Sequence, residues 1–461
     1  MAYANPDPKT IAIIGGGVSG TLTAYHLAQR QTGARIIVIN QQPAFGPGLA
    51  YSTPSLRHLL NVPAGKISAL PAEPDHFLRW LRAHHDPSAA PDTFAPRAVF
   101  GRYIQQIFSE AKGVETWHGL VVDYRPTPEG AKLTLEDGRK LHADLTVLAA
   151  GNFDPAPLPG VAPEAELAGV YCHNAWKAGA YAGLDPSAPV TVIGTGLTAI
   201  DVLLRLRETG HRGVITAVSR HRVFPTRHAP YTPLASSAIP LDTPATCVAY
   251  LRALRAAIRN GAEWRATVDS LRATTNDLWL RLSLRERKRF RRHLQRRWDI
   301  VRHRMAPPIA EIIEAELSAG TLVVHKGRVH GVALEHGQAL VTLETPTGPA
   351  CFTTARVINC TGPSLDYRRV HSPLLKKLFA QGIATAGPLG GGLRTTRDGA
   401  LIDNLGRAAD NLFTLGPSRL GNLIESIAVP EIRQQAVDLA QTLAAALNRT
   451  TSLEEVEEIA S

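Results

Sequence analysis

The sequence predicts an α/β fold in which two parallel-sheet units share one chain, the second inserted in the first and carrying a helical subdomain. Three observations predict it. A short apolar strand near the start runs through a glycine-rich turn into a helical pattern; the same succession returns far along the chain; and an arginine-rich stretch of helical period comes after the second copy.

The first strand, Thr10–Ile14, leads into Gly15-Gly16-Gly17-Val18-Ser19-Gly20, after which Leu22, Tyr25, His26 and Leu27 stand at helical spacing. A second strand at 35–39 ends at Asn40, 20 residues beyond Gly20. That is where a Rossmann-like dinucleotide-binding unit presents a ribose-binding side chain. The pattern repeats as a strand at 190–193, the turn Gly194-Thr195-Gly196-Leu197-Thr198-Ala199, a helix at 200–207 and a strand at 214–218 that exits at Ser219-Arg220. From Ala199 to Ser219 is again 20 residues, so the sequence reads as an internal duplication.

Two further apolar strands exit through glycine before proline: 145–150 into Gly151 with Pro155 beyond, and 357–360 into Thr361-Gly362-Pro363. Read as domain crossings, they predict a discontinuous first domain at 1–165 and 356–461, and a second at 166–355 with a helical insert at about 240–322. Phe290, Leu294, Trp298 and Val301 share one face of that insert, and Glu454 to Glu458 form an acidic, solvated tail.

At 461 residues, with 44% hydrophobic and 20% charged, the chain has ordinary globular composition for two or three domains. Its apolar runs fall far short of the roughly 20 residues that cross a bilayer. Residues 1–10 lack the features of a secretory leader, so a cytoplasmic protein without a membrane partner is expected. Cys172, Cys247, Cys351 and Cys360 never stand two residues apart, which argues against a redox dithiol and a metal site. The net charge is +10, of which +9 lies in residues 281–304. One basic element in an otherwise neutral enzyme does not match a nucleic-acid-binding surface.

A glycine turn at a helix start aims backbone N–H groups and the positive end of the helix dipole at a phosphate. Gly15, Gly17, Ser19 and Gly20 therefore suit a pyrophosphate, as do Gly194, Gly196, Leu197 and Thr198. Asn40, with Gln41 next to it, stands where an acid usually binds ribose, and its neutral amide makes a weaker contact. Ser219 and Arg220 offer a hydroxyl and a guanidinium without an acid, which favours the 2′-phosphate of NADPH, unless Arg220 is simply one of the surface arginines beside His221. Two dinucleotide sites without a dithiol imply hydride transfer from one cofactor to the other, and FAD is the natural acceptor.

Gly46-Pro47-Gly48-Leu49-Ala50-Tyr51-Ser52, Leu59-Leu60-Asn61-Val62-Pro63-Ala64, the second glycine turn, Trp298-Asp299 with Arg302 to Pro307, and Val429-Pro430-Glu431-Ile432-Arg433 together resemble the bacterial FAD-NAD(P)-binding family of two-dinucleotide-binding-domain flavoproteins. A wider similarity is to class B flavin monooxygenases, including the amine N-hydroxylases, through the order of segments 61–70, 74–81 and 97–103. The resemblance implies that Asn61 and Lys66 lie beside the isoalloxazine. It also implies that the return segment from Gly416 to Glu425 sets a helix N-terminus near the pyrimidine edge. Pro417 stands where the flavoprotein signature often has an Asp, so any ribityl contact there falls to backbone groups.

The expected activity is that of an NADPH- and FAD-dependent oxidoreductase, a monooxygenase using dioxygen and a 4a-hydroperoxyflavin to N-hydroxylate a small nitrogen-containing metabolite. The alternatives are a flavin dehydrogenase or reductase without oxygen insertion, and a non-catalytic FAD-binding sensor. Asn61, Lys66, Arg302 and Arg304 are the catalytic candidates, the two arginines as a clamp for a substrate carboxylate or coenzyme phosphate. The competing reading of the arginines is a solvated face on an amphipathic helix. His58 and His173 read as structural hydrogen-bond partners, and Cys360 as inert core.

Overall fold

The β-branched runs TIAII and RIIVIN leave almost no polar side chain for solvent, which suits parallel strands covered on both faces. In the computed structural model, which describes residues 8–460 and the side chains of 8–448 apart from Ala178, they are neighbours at the centre of a six-stranded sheet. Its order is Ala400–Ile402, Ala408–Thr414, Leu145–Leu148, Thr10–Ile14, Arg35–Asn40, Val114–His118, parallel except for the first pair. A second sheet, parallel throughout, runs Leu322–Lys326, Ile215–Ser219, Val190–Ile193, Arg356–Asn359, Tyr171–Cys172.

The duplication extends beyond the glycine turns. Each unit has, after its outer strand, a three-stranded antiparallel meander, Val121–Thr127 to Lys140–Ala143 in one and Arg328–Glu335 to Gly348–Thr354 in the other. Each then returns to its sheet centre through an apolar strand, Leu145–Leu148 or Arg356–Asn359. Even the turn geometry is copied. Gly15 (φ +115°) and Gly194 (φ +120°) each donate to the neighbouring strand's carbonyl, of Ile39 or Val218, at 2.8 Å. An added Cβ would stand 2.2 Å from the Ala149 carbonyl oxygen at Gly15 and 2.7 Å from that of Cys360 at Gly194, so both positions require glycine.

One expected boundary moves. Residues 356–359 complete the second sheet, so the chain returns to the first unit only after Asn359 and not at 356. The exit through Gly362-Pro363 has the composition of a crossing, but it lies beyond Arg356–Asn359, the last strand of the second sheet. The arginine-rich stretch also divides, at Leu294, into helices Leu284–His293 and Gln295–Arg302. They belong to an insert that begins with Cys247–Arg259, and Pro307–Ser318 then packs Ile309, Ala310 and Ile313 into the second unit's core. Among the described residues no helix is long and apolar enough to cross a membrane. The acidic tail from Glu454 to Glu458 lies outside the described side chains.

Contacts between the units fix where their cofactor ends face. His58 lies 2.7 Å from Thr53 Oγ1 and 2.9 Å from the carbonyl of Asp201, a residue of the second unit's helix Leu197–Glu208. Arg97 donates to the Asp201 carboxylate at 2.6 Å. His58 is thus structural, as expected, while His173 is 3.4 Å from the Tyr171 hydroxyl.

The two copies differ at one close approach. A Cβ on Gly20 would lie 1.9 Å from the Gly15 carbonyl oxygen, whereas the matching position in the second copy is already Ala199; Gly196, the counterpart of Gly17, has nothing within 4 Å of an added Cβ. Gly20→Ala is therefore expected to lower unfolding free energy by about 1–3 kcal/mol. Gly196→Ala should stay within about 1 kcal/mol of the parent. Urea melts of the two variants check the contrast.

Candidate active site

Helix Leu197–Glu208 begins at Gly196 with extended backbone, no side-chain cap and no acid in its first turn, which leaves its leading N–H groups for a ligand. These groups open onto a cavity of about 570 Å³ lined by Gly194 to Thr198, Ser219, Arg220, His221 and Arg328 of the second unit. The opposite wall comes from the first unit: Tyr51, Asn61, Val62 and Ile67, with Ile427, Ala428 and Val429 from the return segment. Arg296, Asp299 and His303 line it from the helical insert.

Ser219 acts on the loop more than on a ligand. Its hydroxyl accepts the Arg222 N–H at 3.1 Å and lies 3.0 Å from Thr195 Oγ1, which fixes a turn where Arg222 takes φ +56°. Arg220 is exposed at the end of that turn. Arg296 closes the same corner, donating to the Val223 carbonyl at 2.6 Å and to Thr195 Oγ1 at 3.1 Å. Burial and the nearby Arg220, Arg296 and Lys326 depress the basicity of His221, as expected where cations crowd together.

The first loop repeats the arrangement outside this cavity's lining. Helix Val18–Gln29 starts at Gly17 without a side-chain cap or first-turn acid. Gly17 meets Gly48 backbone to backbone: a Cβ on Gly17 would lie 3.3 Å from Gly48 Cα. Asn40 does not stand free for ribose. Its Oδ1 accepts the Gly16 N–H at 3.2 Å and its Nδ2 donates to the carbonyls of Gln42 and Ala44, both at 2.9 Å, so it shapes the turn while Gln41 stays exposed beside it. Gly151, at φ +66°, lies just past the first sheet's Leu145–Leu148 strand, and its carbonyl accepts the Tyr367 hydroxyl at 2.9 Å.

Residues 12–153 match a family model described as FAD-NAD(P)-binding. This segment is thus similar to FAD-NAD(P)-binding domains. The uncharacterised protein YdhS of Escherichia coli K12 is 26% identical over 238 residues, 47% of this chain and only 42% of that protein. The ornithine hydroxylase PvdA of Pseudomonas aeruginosa superposes with TM-score 0.66 at 16% identity, over 95% of this chain and 99% of that one. The bacillithiol disulfide reductase Bdr of Staphylococcus aureus gives 0.56 at 14%, over 95% and 98%. What the chain shares with both is the fold, two parallel-sheet units in one chain.

The matched segment supplies an uncapped helix start and a close glycine pair, which fit a pyrophosphate. Asn61 reaches the shared cavity while its carbonyl accepts from His228 Nε2 at 3.0 Å. Lys66 is exposed and does not line the cavity. Its Nζ lies 3.4 Å from the Tyr231 hydroxyl and 5.3 Å over that ring. Tyr231 in turn donates to Asp269, which also accepts from Arg304. Arg304 is 1% exposed, between the rings of Tyr231 (5.9 Å) and Trp264 (5.8 Å), and is no mobile clamp.

Arg302, the candidate clamp, and Glu425, in the return segment that the resemblance sets near the flavin, instead hold each other. Arg302 Nε donates to Glu425 Oε1 at 2.7 Å and Nη2 contacts Glu431 at 3.3 Å, with the Arg302 and Glu425 side chains 4% and 6% exposed. Gly416 is equally committed: its N–H donates to Gln435 Oε1 at 3.0 Å and its carbonyl accepts from Ser426 Oγ at 2.6 Å, beside Ser19. Residues Gly416–Gly421 form a 3-10 turn, so the helix start that meets the cavity is that of Val429–Ala460. Sequence reasoning missed Arg296, Asp299 and His303 as cavity residues. Their signal was the 3- and 4-residue spacing that sets them on one helix face. Burial and the Arg302 charge push the His303 imidazole down to about 4, and burial with Arg304 does the same to His228, so both are neutral near pH 7.

Removing one partner of the buried pair strands the other charge. Arg302→Met should cost about 3–5 kcal/mol, and Arg302→Met with Glu425→Met clearly less. A double-mutant cycle with Arg302→Met, Glu425→Met and the double variant by chemical denaturation measures the coupling; a double-variant loss equal to the sum of the two single losses would show that the pair is not coupled.

Proposed function

We propose that this chain is an NADPH-dependent flavin monooxygenase that hydroxylates nitrogen in a small metabolite. The observation that carries the reading is the single cavity whose walls come from both dinucleotide units, the return segment and the helical insert. A path for direct hydride transfer needs such a shared space. The likeness to an ornithine hydroxylase fold favours oxygenation. A thiol relay, as a disulfide reductase with a dithiol would use, finds no support among the described cysteines. All four are free, and Cys360, which borders the cavity, has its thiol pushed far up by burial.

FAD, when bound, supplies the two-electron acceptor and the reaction with dioxygen. The chain's part is to bind, orient and exclude water. The Gly17 and Gly196 helix starts take the pyrophosphates. Arg220, His221, Arg296 and Arg328 collect positive charge for a 2′-phosphate. Val62, Ile67, Ile427 and Val429 give the reacting end an apolar wall, and the Val429–Ala460 helix start favours negative charge beside it.

The purified protein is expected to be yellow and to bleach with NADPH under anaerobic conditions. Mixing the reduced protein with aerated buffer in stopped flow should show a transient spectrum distinct from both oxidised and reduced flavin. Direct return to the oxidised spectrum would assign a reductase, and no bleaching by either nicotinamide a sensor. Arg220→Ala should weaken NADPH binding by about 1.5–3 kcal/mol and leave NADH little changed. Equal losses for both coenzymes would remove Arg220 from phosphate recognition.

A further inference from the structure

Helix Gln295–Arg302 runs along the cavity from one cofactor unit to the other. Arg296 anchors its start at Thr195 in the second glycine loop, and Arg302 anchors its end at Glu425 in the return segment. At 1.5 Å per residue those anchors are about 9 Å apart along the axis, and Asp299 stands midway. It is the only acid that lines the cavity among the described residues, while Arg220, Arg296 and Arg328 line it with positive charge. Asp299 Oδ1 accepts from Gln295 Nε2 at 2.8 Å, and Oδ2 has no hydrogen-bond partner among the described residues.

We propose that Asp299 is the recognition site for the ammonium group of a primary alkylamine substrate. A carboxylate with one oxygen fixed and the other open offers a directed acceptor. The cavity's arginines, Arg296 one turn away included, repel a cation, so the ammonium group is drawn to the acidic side chain of the lining. His303, which follows the last residue of this helix and also lines the cavity, is neutral and does not compete for the carboxylate. Burial raises the Asp299 carboxyl above the usual carboxylate range, the direction in which a bound ammonium partner becomes more valuable to the site. This inference rests on the monooxygenase reading for the substrate's role, but amine binding is measured without turnover.

The test is a titration of the oxidised FAD-loaded protein with NADP⁺ present, using n-butylamine and 1,5-diaminopentane as probes and 1-butanol as the neutral control. Flavin absorbance and thermal stability report binding. The amines should bind and the alcohol should not. Asp299→Asn should weaken the amines at least about tenfold, and Asp299→Glu should recover part of that loss. Equal amine affinity in the parent and Asp299→Asn, or no amine binding to the parent, overturns the proposal. Loss of NADP⁺ affinity in place of amine affinity also overturns it, by assigning the carboxylate to the nicotinamide. If amines bind but stopped flow shows no oxygen intermediate, the recognition site stands and the monooxygenase reading falls.

Discussion

The buried Arg302–Glu425 pair is the constraint on which the rest of the structure depends. Each side chain is almost fully withdrawn from water, so neither charge is tolerable without the other. One belongs to the helical insert of the second unit and the other to the segment by which the chain returns to the first. Asn276 reinforces the junction by donating to the Glu425 carbonyl at 2.8 Å, and Trp279 by donating to that of Asn422 at 2.9 Å. With His58 and Arg97 tied to Asp201 elsewhere, the two units are held where both meet one cavity. Surface ion pairs, by contrast, contribute little to such a junction.

Within that frame the duplication shows one backbone turn used twice with different side chains around it. Gly15 and Gly194 make the same strand contact at the same length, and both helices start at an uncapped glycine. The units part company at the end of the second strand. In the first, Asn40 folds its amide back onto the turn. In the second, Ser219 ties down its own loop and leaves Arg220 at the cavity edge. Divergence therefore lies in side chains at matching positions, while the backbone of the glycine turn is kept.

The strands, glycine turns and helical insert were legible because periodicity and glycine spacing are local signals. The second-sheet membership of residues 356–359 was not. An apolar strand with glycine and proline beyond it looks the same whether it closes one unit or opens the next, and only its pairing with Val190–Ile193 distinguishes the two. Arg302 and Glu425 illustrate the same limit at the site. Residue type marks them as able to bind anions and cations, but only their mutual burial shows that each has already found its partner.

The amino-acid order alone determined that this chain holds two glycine turns at helix starts and joins them to an unusual concentration of arginine, since both properties reside in neighbouring residues. Tertiary structure decided which of those polar groups face the shared cavity and which neutralise one another inside the protein. The reason is physical: a side chain's availability to a ligand is set by whatever packs against it, and for Asp299, Arg302 and Glu425 those neighbours include residues brought together across more than one part of the chain.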